Sequence, residues 1–191
     1  MLEQILLSAR QCQLCTNSLP LGPNPVIQAA PSAKLLIIGQ APGLKVHESS
    51  IPWNDASGVR LRSWLQLDEE QFYNPEQVAI VPMSLCYPGK GNSGDLPPRK
   101  ECAPQWHQKI LEHLPNIEMT LLIGQYAQNY YLQDKPKNLT DTVKQWRHWA
   151  PSYIPLPHPS PRNNIWIKRN PWFESEVLPF VSTHIQNLFH R

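Results

Sequence analysis

Four cysteines and two short loops carry the side chains whose types and spacing suit chemistry. Cys12 and Cys15 form a C-x-x-C pair, and Cys86 and Cys102 are separated by fifteen residues. Four thiolates suit either a tetrahedral zinc ion or a cubane iron–sulfur cluster, and spacing alone does not choose between them. The first loop runs Gly39-Gln40-Ala41-Pro42-Gly43 and is followed by Pro52-Trp53-Asn54-Asp55-Ala56-Ser57-Gly58. The second is His158-Pro159-Ser160-Pro161-Arg162-Asn163. An indole, a carboxylate and an imidazole are thus set among prolines that stiffen the turns carrying them. Asp55 has two local readings besides a functional one, as a turn residue or as the cap of a following helix, although Ser57 can supply that cap.

The elements around these loops decide whether they meet. Leu35-Leu36-Ile37-Ile38 reads as a buried strand within 34–38, so the first loop opens at a strand's C-terminal end. Further strands are expected over 78–85 and 120–123, and a short extended run over 152–157 leads into the second loop. Helical patterns cover 3–10, 57–65 with Ser57 as its N-cap, 104–113, 125–132 and 172–189. Strands alternating with helices imply a three-layer α/β/α fold with a mainly parallel central sheet of about four strands. In such a sheet, ligands bind outside the carboxyl ends of the strands, where both loops fall. With 191 residues the chain suits one domain spanning 1–191, its N-terminal Cys-x-x-Cys segment joining a metal site. Twenty-one prolines gather in loops, and seven tryptophans argue for a packed core. A net charge of +2 is too mild to announce nucleic acid by itself. No secretory signal or membrane-spanning run is visible, so a cytoplasmic, membrane-free protein is expected.

Together the two loops resemble the signature loops of the uracil-DNA glycosylase superfamily, a G-x-x-P-G-type turn and an H-P-S-type turn. The four cysteines match, position by position, the arrangement in the iron–sulfur branches of that family. The resemblance therefore implies a 4Fe–4S cluster on Cys12, Cys15, Cys86 and Cys102, with zinc as second choice. It also implies a monomer acting on DNA that contains a damaged base, hydrolysing the N-glycosidic bond of uracil or another deaminated base after base flipping. Trp53 stands where many relatives carry a Phe that stacks on the base. The resemblance puts Gly39, Gln40, Ala41, Pro42 and Ser84 around that base as well. His158 stands where relatives donate a hydrogen bond to the base carbonyl as charge builds there. Ser160, Arg162, Asn163 and Lys168 fall where DNA contacts are expected, and Lys90, Arg99 and Lys100 add cations between the last two cysteines.

Two departures qualify the match. Gln40 stands where one iron–sulfur branch has Glu, and Gln cannot act as a general base. Asp55 lies in a stretch resembling the P-F-x-G-D-x-S-G motif of another branch, one residue shorter, and is the candidate to orient water and stabilise the sugar cation. The strand before Cys86 lacks the Asn that reads uracil in many relatives, leaving the choice of base open. A non-catalytic DNA-binding relative and an iron–sulfur protein handling free nucleosides are the alternatives.

Overall fold

The computed structural model describes residues 1–190. Helix α1 (Leu2–Arg10) turns Leu2, Leu6 and Ala9 inward and leads to the first two cysteines. Strand β1 (Leu35–Ile38) is buried along its whole length. It is followed by α2 (Leu44–Ser49), α3 (Ala56–Leu65) and the single turn α4 (Glu69–Phe72) before strand β2 (Val78–Ile80). A small antiparallel hairpin, β3 (Lys90–Gly91) and β4 (Gly94–Asp95), precedes α5 (Cys102–Leu111) and the buried strand β5 (Met119–Ile123). Helices α6 (Gln125–Tyr131) and α7 (Leu139–Lys144) then lead to strand β6 (Tyr153–Leu156). The chain ends with α8 (Asn164–Arg169), a π-helical turn over Phe173–Val177, and α9 (Leu178–Phe189).

The main sheet has four strands in the order β2-β1-β5-β6, all parallel. Side chains alternate across a strand. Leu35 and Ile37 accordingly join Leu121 and Ile123 in a core with α3 and α9, while Leu36, Ile38 and Leu122 face the core built by α1, α5 and α6. This is the expected three-layer α/β/α fold with a four-stranded parallel sheet. From β1 the chain moves outward to β2, then crosses to β5 on the other side, so the loops after β1 and β5 diverge. That divergence opens a crevice at the carboxyl edge.

Several boundaries differ from the expected ones for local reasons. β2 stops at Ile80 because Pro82 brings no N–H, yet Val81, Met83 and Ser84 donate to the carbonyls of Ile37, Gly39 and Gln40 at 3.0, 2.9 and 3.1 Å. The expected strand over 78–85 therefore continues as a buried loop that anchors the first signature loop. Asp55, not Ser57, caps α3: its Oδ1 accepts from the Gly58 amide at 2.9 Å. The C-terminal helix is split because Pro179 cannot donate to the preceding turn. β6 tolerates Pro155 because it is an edge strand.

Candidate active site

A cavity of about 420 Å³ lies at the carboxyl edge, lined by the loop Gly39–Gly43 after β1, Pro82 after β2 and His158 after β6. Trp53, Asp55, Ser57, Ser160 and Arg162 complete its nearer walls. Gln128, buried in α6, fastens the floor by donating to the carbonyls of Leu122 and Leu156 at 3.1 and 2.9 Å.

Trp53 is placed by strain and by two glycines. Its φ is +57°, a left-handed conformation uncommon for a bulky residue. A Cβ on Gly39 would sit 2.8 Å from the Trp53 ring, and one on Gly58 only 1.6 Å from the Trp53 carbonyl oxygen. Glycine at both positions lets the indole lie flat on the first loop while its backbone closes over the start of α3. The buried Arg62 reaches the Trp53 carbonyl at 3.5 Å and the Tyr73 hydroxyl at 3.1 Å. Trp53 thereby lines the cavity.

His158 faces Trp53 with ring centroids 5.6 Å apart and planes 35° from parallel. The Ser160 amide donates to His158 Nδ1 at 3.2 Å, so Nδ1 is the bare nitrogen and Nε2 carries the hydrogen. Burial pushes the imidazole below its ordinary pKa, while the charge of Asp55 pulls it back up. A neutral ring with one N–H donor is the result. Asn163 donates to the His158 carbonyl at 2.7 Å, which makes it a brace of this loop. Arg60 on α3 reaches the Ser160 carbonyl at 3.2 Å and Asn164 Oδ1 at 2.6 Å, tying the helix capped by Asp55 to the loop of His158.

The hairpin β3–β4 forms a wall that the sequence reading did not include. Ser93, Gly94 and Asp95 line the cavity. Arg162 donates from Nη1 to the Ser93 carbonyl at 2.6 Å, spanning from the second signature loop to the hairpin. Burial raises the Asp95 carboxyl pKa; Arg162 opposes that shift and Asp55 adds to it. The glycine-flanked turn Gly91-Asn92-Ser93-Gly94 is a readable hairpin signal. Its approach to Arg162, from 69 residues away, is not.

All four cysteines line a second, smaller cavity beside α5, together with Leu85, Arg99 and Trp106. All four are free thiols. Burial pushes Cys86 up to about 11 and Cys102 up to about 12, and raises Cys15. The Leu85 amide donates to Cys102 Sγ at 3.2 Å. Two buried donors on the lining residues, Arg99 Nε and Trp106 Nε1, have no partner. Among the described residues no three His, Cys, Asp or Glu side chains close on one point as they would around a single ion. The four cysteines line one small cavity instead, and unpartnered N–H groups beside it fit a group that accepts hydrogen bonds.

Ser84 belongs to this second cavity and not to the larger one: its hydroxyl donates to the Cys86 carbonyl at 3.2 Å. It therefore leaves the set of expected base contacts, because the turn toward Cys86 aims its side chain to the thiol side. Arg99 likewise lines the thiol cavity and pairs with Glu101 at 2.7 Å, which removes it from the expected cationic surface. Lys168 is exposed on the last turn of α8, outside the residues that line the cavity. Among the described residues no helix is long and apolar enough to cross a membrane. A family model described as the uracil DNA glycosylase superfamily matches residues 27–182, which include both signature loops, Cys86 and Cys102 but not Cys12 and Cys15.

Proposed function

The chain belongs to the uracil-DNA glycosylase superfamily, and from that premise we propose that it excises uracil or another deaminated base from DNA by hydrolysing the N-glycosidic bond. What supports this reading above all is the tautomer of His158, whose one N–H donor stands beside Trp53 and Asp55 on a single cavity. A base flipped out of the stack enters that cavity and lies against the indole. The Nε2–H of His158 donates to a base carbonyl oxygen. As the C–N bond breaks and its electron pair moves onto the base, that hydrogen bond strengthens, which is the differential stabilisation that catalysis requires. Asp55 keeps one oxygen on the Gly58 amide and turns its remaining charge toward the sugar cation. The low imidazole pKa suits this division: a neutral His158 leaves the net negative charge of Asp55 uncancelled.

DNA is gripped around the mouth by Ser160 and Arg162, with Lys168 and the exposed Lys90 and Lys100 as outlying phosphate contacts. Cys12, Cys15, Cys86 and Cys102 would hold a 4Fe–4S cluster, with zinc as second choice, and Arg99 and Trp106 would donate to its sulfurs. When bound, the cluster supplies a structural tie between distant segments. The protein is proposed to work as a monomer in the cytoplasm.

The test is incubation with oligonucleotides carrying uracil, hypoxanthine or xanthine, followed by alkaline cleavage of abasic sites. The wild type should release one of these bases. His158→Ala should slow that release on the order of a hundredfold or more, as for loss of a donor at developing charge. DNA binding without any excision would favour a non-catalytic DNA-binding relative, and activity on nucleosides without DNA would move the substrate class.

A further inference from the structure

Two carboxylates from separate elements come close to Gly43. A Cβ built on it would lie 3.6 Å from Asp95 Oδ2 and 3.8 Å from Asp55 Oδ2. Asp55 comes from the N-terminus of α3 and Asp95 from the end of the hairpin. The glycine therefore leaves open a methyl-sized space with two acceptor oxygens beside it, within the cavity that both residues line. Two acceptors around a small open volume are what a water needs in order to donate both its hydrogens. Asp55 Oδ1 is committed to capping α3, so Asp55 has only Oδ2 to offer that water.

Resting on the glycosylase reading, we propose that Asp95 is a second catalytic carboxylate, which shares with Asp55 the water that attacks the sugar carbon over Gly43. A water that donates to both acids presents its lone pairs to the sugar. Its oxygen forms the new bond to the sugar carbon, and the C–N bond breaks with its electron pair on the departing base. The proton released from the water passes to Asp95 and then to solvent, while His158 holds the charge on the base. Asp95 suits the base role because partial desolvation and the nearby Asp55 raise its carboxyl pKa, against the opposing pull of Arg162 and Lys90. Arg162, held on the Ser93 carbonyl, keeps the hairpin in place for this task. The arrangement also answers the loss of an acid at Gln40: the missing carboxylate returns from another element.

Single-turnover excision and oligonucleotide affinity, measured on the same substrate, test the proposal. Asp95→Asn should slow excision about a hundredfold, within the range of lost base catalysis, and leave affinity within about twofold. Gly43→Ala is the sharper probe. The backbone there has φ −83°, and both carboxylate oxygens would sit at ordinary contact distance from the new methyl. The variant should fold normally, fill the water's space and lose at least as much rate as Asp95→Asn. The Asp55→Asn, Asp95→Asn double variant should be scarcely slower than the slower single, because both acids serve one water. Wild-type rates for Asp95→Asn or Gly43→Ala, additive losses, or a rate loss matched by lost affinity would overturn Asp95 and leave the glycosylase reading intact. A wild type that excises no base would overturn both.

Discussion

On the proposed reading Asp55 holds two tasks in one side chain, and its two oxygens separate them. Oδ1 closes the first turn of α3, while Oδ2 faces the space over Gly43. Asn is as good a cap as Asp, so Asp55→Asn keeps the turn and deletes only the charge. Its melting temperature should stay close to wild type while single-turnover excision falls at least tenfold, in line with the loss of a charge held for the transition state. Asp55→Ala should lose the same rate and in addition about 0.5–2 kcal/mol of stability in denaturant titration, because the Gly58 amide loses its acceptor. Full activity in Asp55→Asn would reduce the residue to a cap. At this scale the sequence was legible wherever a side chain's partner lies within a few residues, as with His158 and Ser160. Ser57 misled because Asp55, two residues earlier, already caps α3, and Ser84 because its hydroxyl turns to the Cys86 carbonyl. Asp95 stayed invisible because its partners arrive from α3 and from the second signature loop.

Between elements, the end of β2 shows how the pocket is braced from behind. Pro82 lines the cavity, and its carbonyl can only accept, so His107 Nε2 on α5 must donate to it at 2.8 Å. His107 Nδ1 is then the acceptor for the Tyr131 hydroxyl at the end of α6. Desolvation pushes the His107 pKa below the ordinary 6.5. The unfolded chain therefore binds the proton first. Above pH 6.5 the ring is neutral in both states and contributes no slope; as pH falls through that value toward the folded one, stability is lost. His158 shifts in the same direction and adds to the loss. The melting temperature should be level above about pH 7 and fall below about pH 6.5, and His107→Gln should make that decline shallower. His107→Leu, which strands a buried carbonyl and hydroxyl, should lower stability by about 1–3 kcal/mol at neutral pH. An acid-side decline unchanged in His107→Gln would assign the slope to other groups. The strands were legible here because β1 is a continuous apolar run and β5 is one but for the buried Thr120. The end of β2 was not: Val81 to Leu85 are as buried as a strand, but Pro82 breaks the ladder and the backbone serves the first loop instead.

Across the whole molecule, the thiol cavity and the active-site cavity are joined by one segment. Cys86 and Cys102 anchor its two ends, and the hairpin Lys90–Asp95 between them reaches the other cavity, where Arg162 holds it. Cys12 and Cys15 add the N-terminal segment, whose helix α1 rests Leu2, Leu6 and Ala9 on the core that contains Trp106 and Ile110 of α5. A cluster on the four sulfurs would thus fasten a helix outside the family-matched region to the strap that carries Asp95. The cysteine pattern suggested that the four thiols gather, and they do line one cavity, but it could not announce that the strap's far end enters the larger cavity. If the tie is real, anaerobically purified protein should be brown, absorb broadly in the visible and carry about four irons per chain. Stoichiometric zinc without iron would replace the cluster with the second choice. Cys86→Ala removes one ligand and one anchor together, so metal content and melting temperature should both fall. Excision should fall too, by more than oligonucleotide affinity, because the displaced strap carries an acid of the reaction while His158, Ser160 and Trp53 stay on separate elements. Excision at the wild-type rate in a metal-free Cys86→Ala protein would mean that the hairpin is held by Arg162 alone, and that the two cavities work independently.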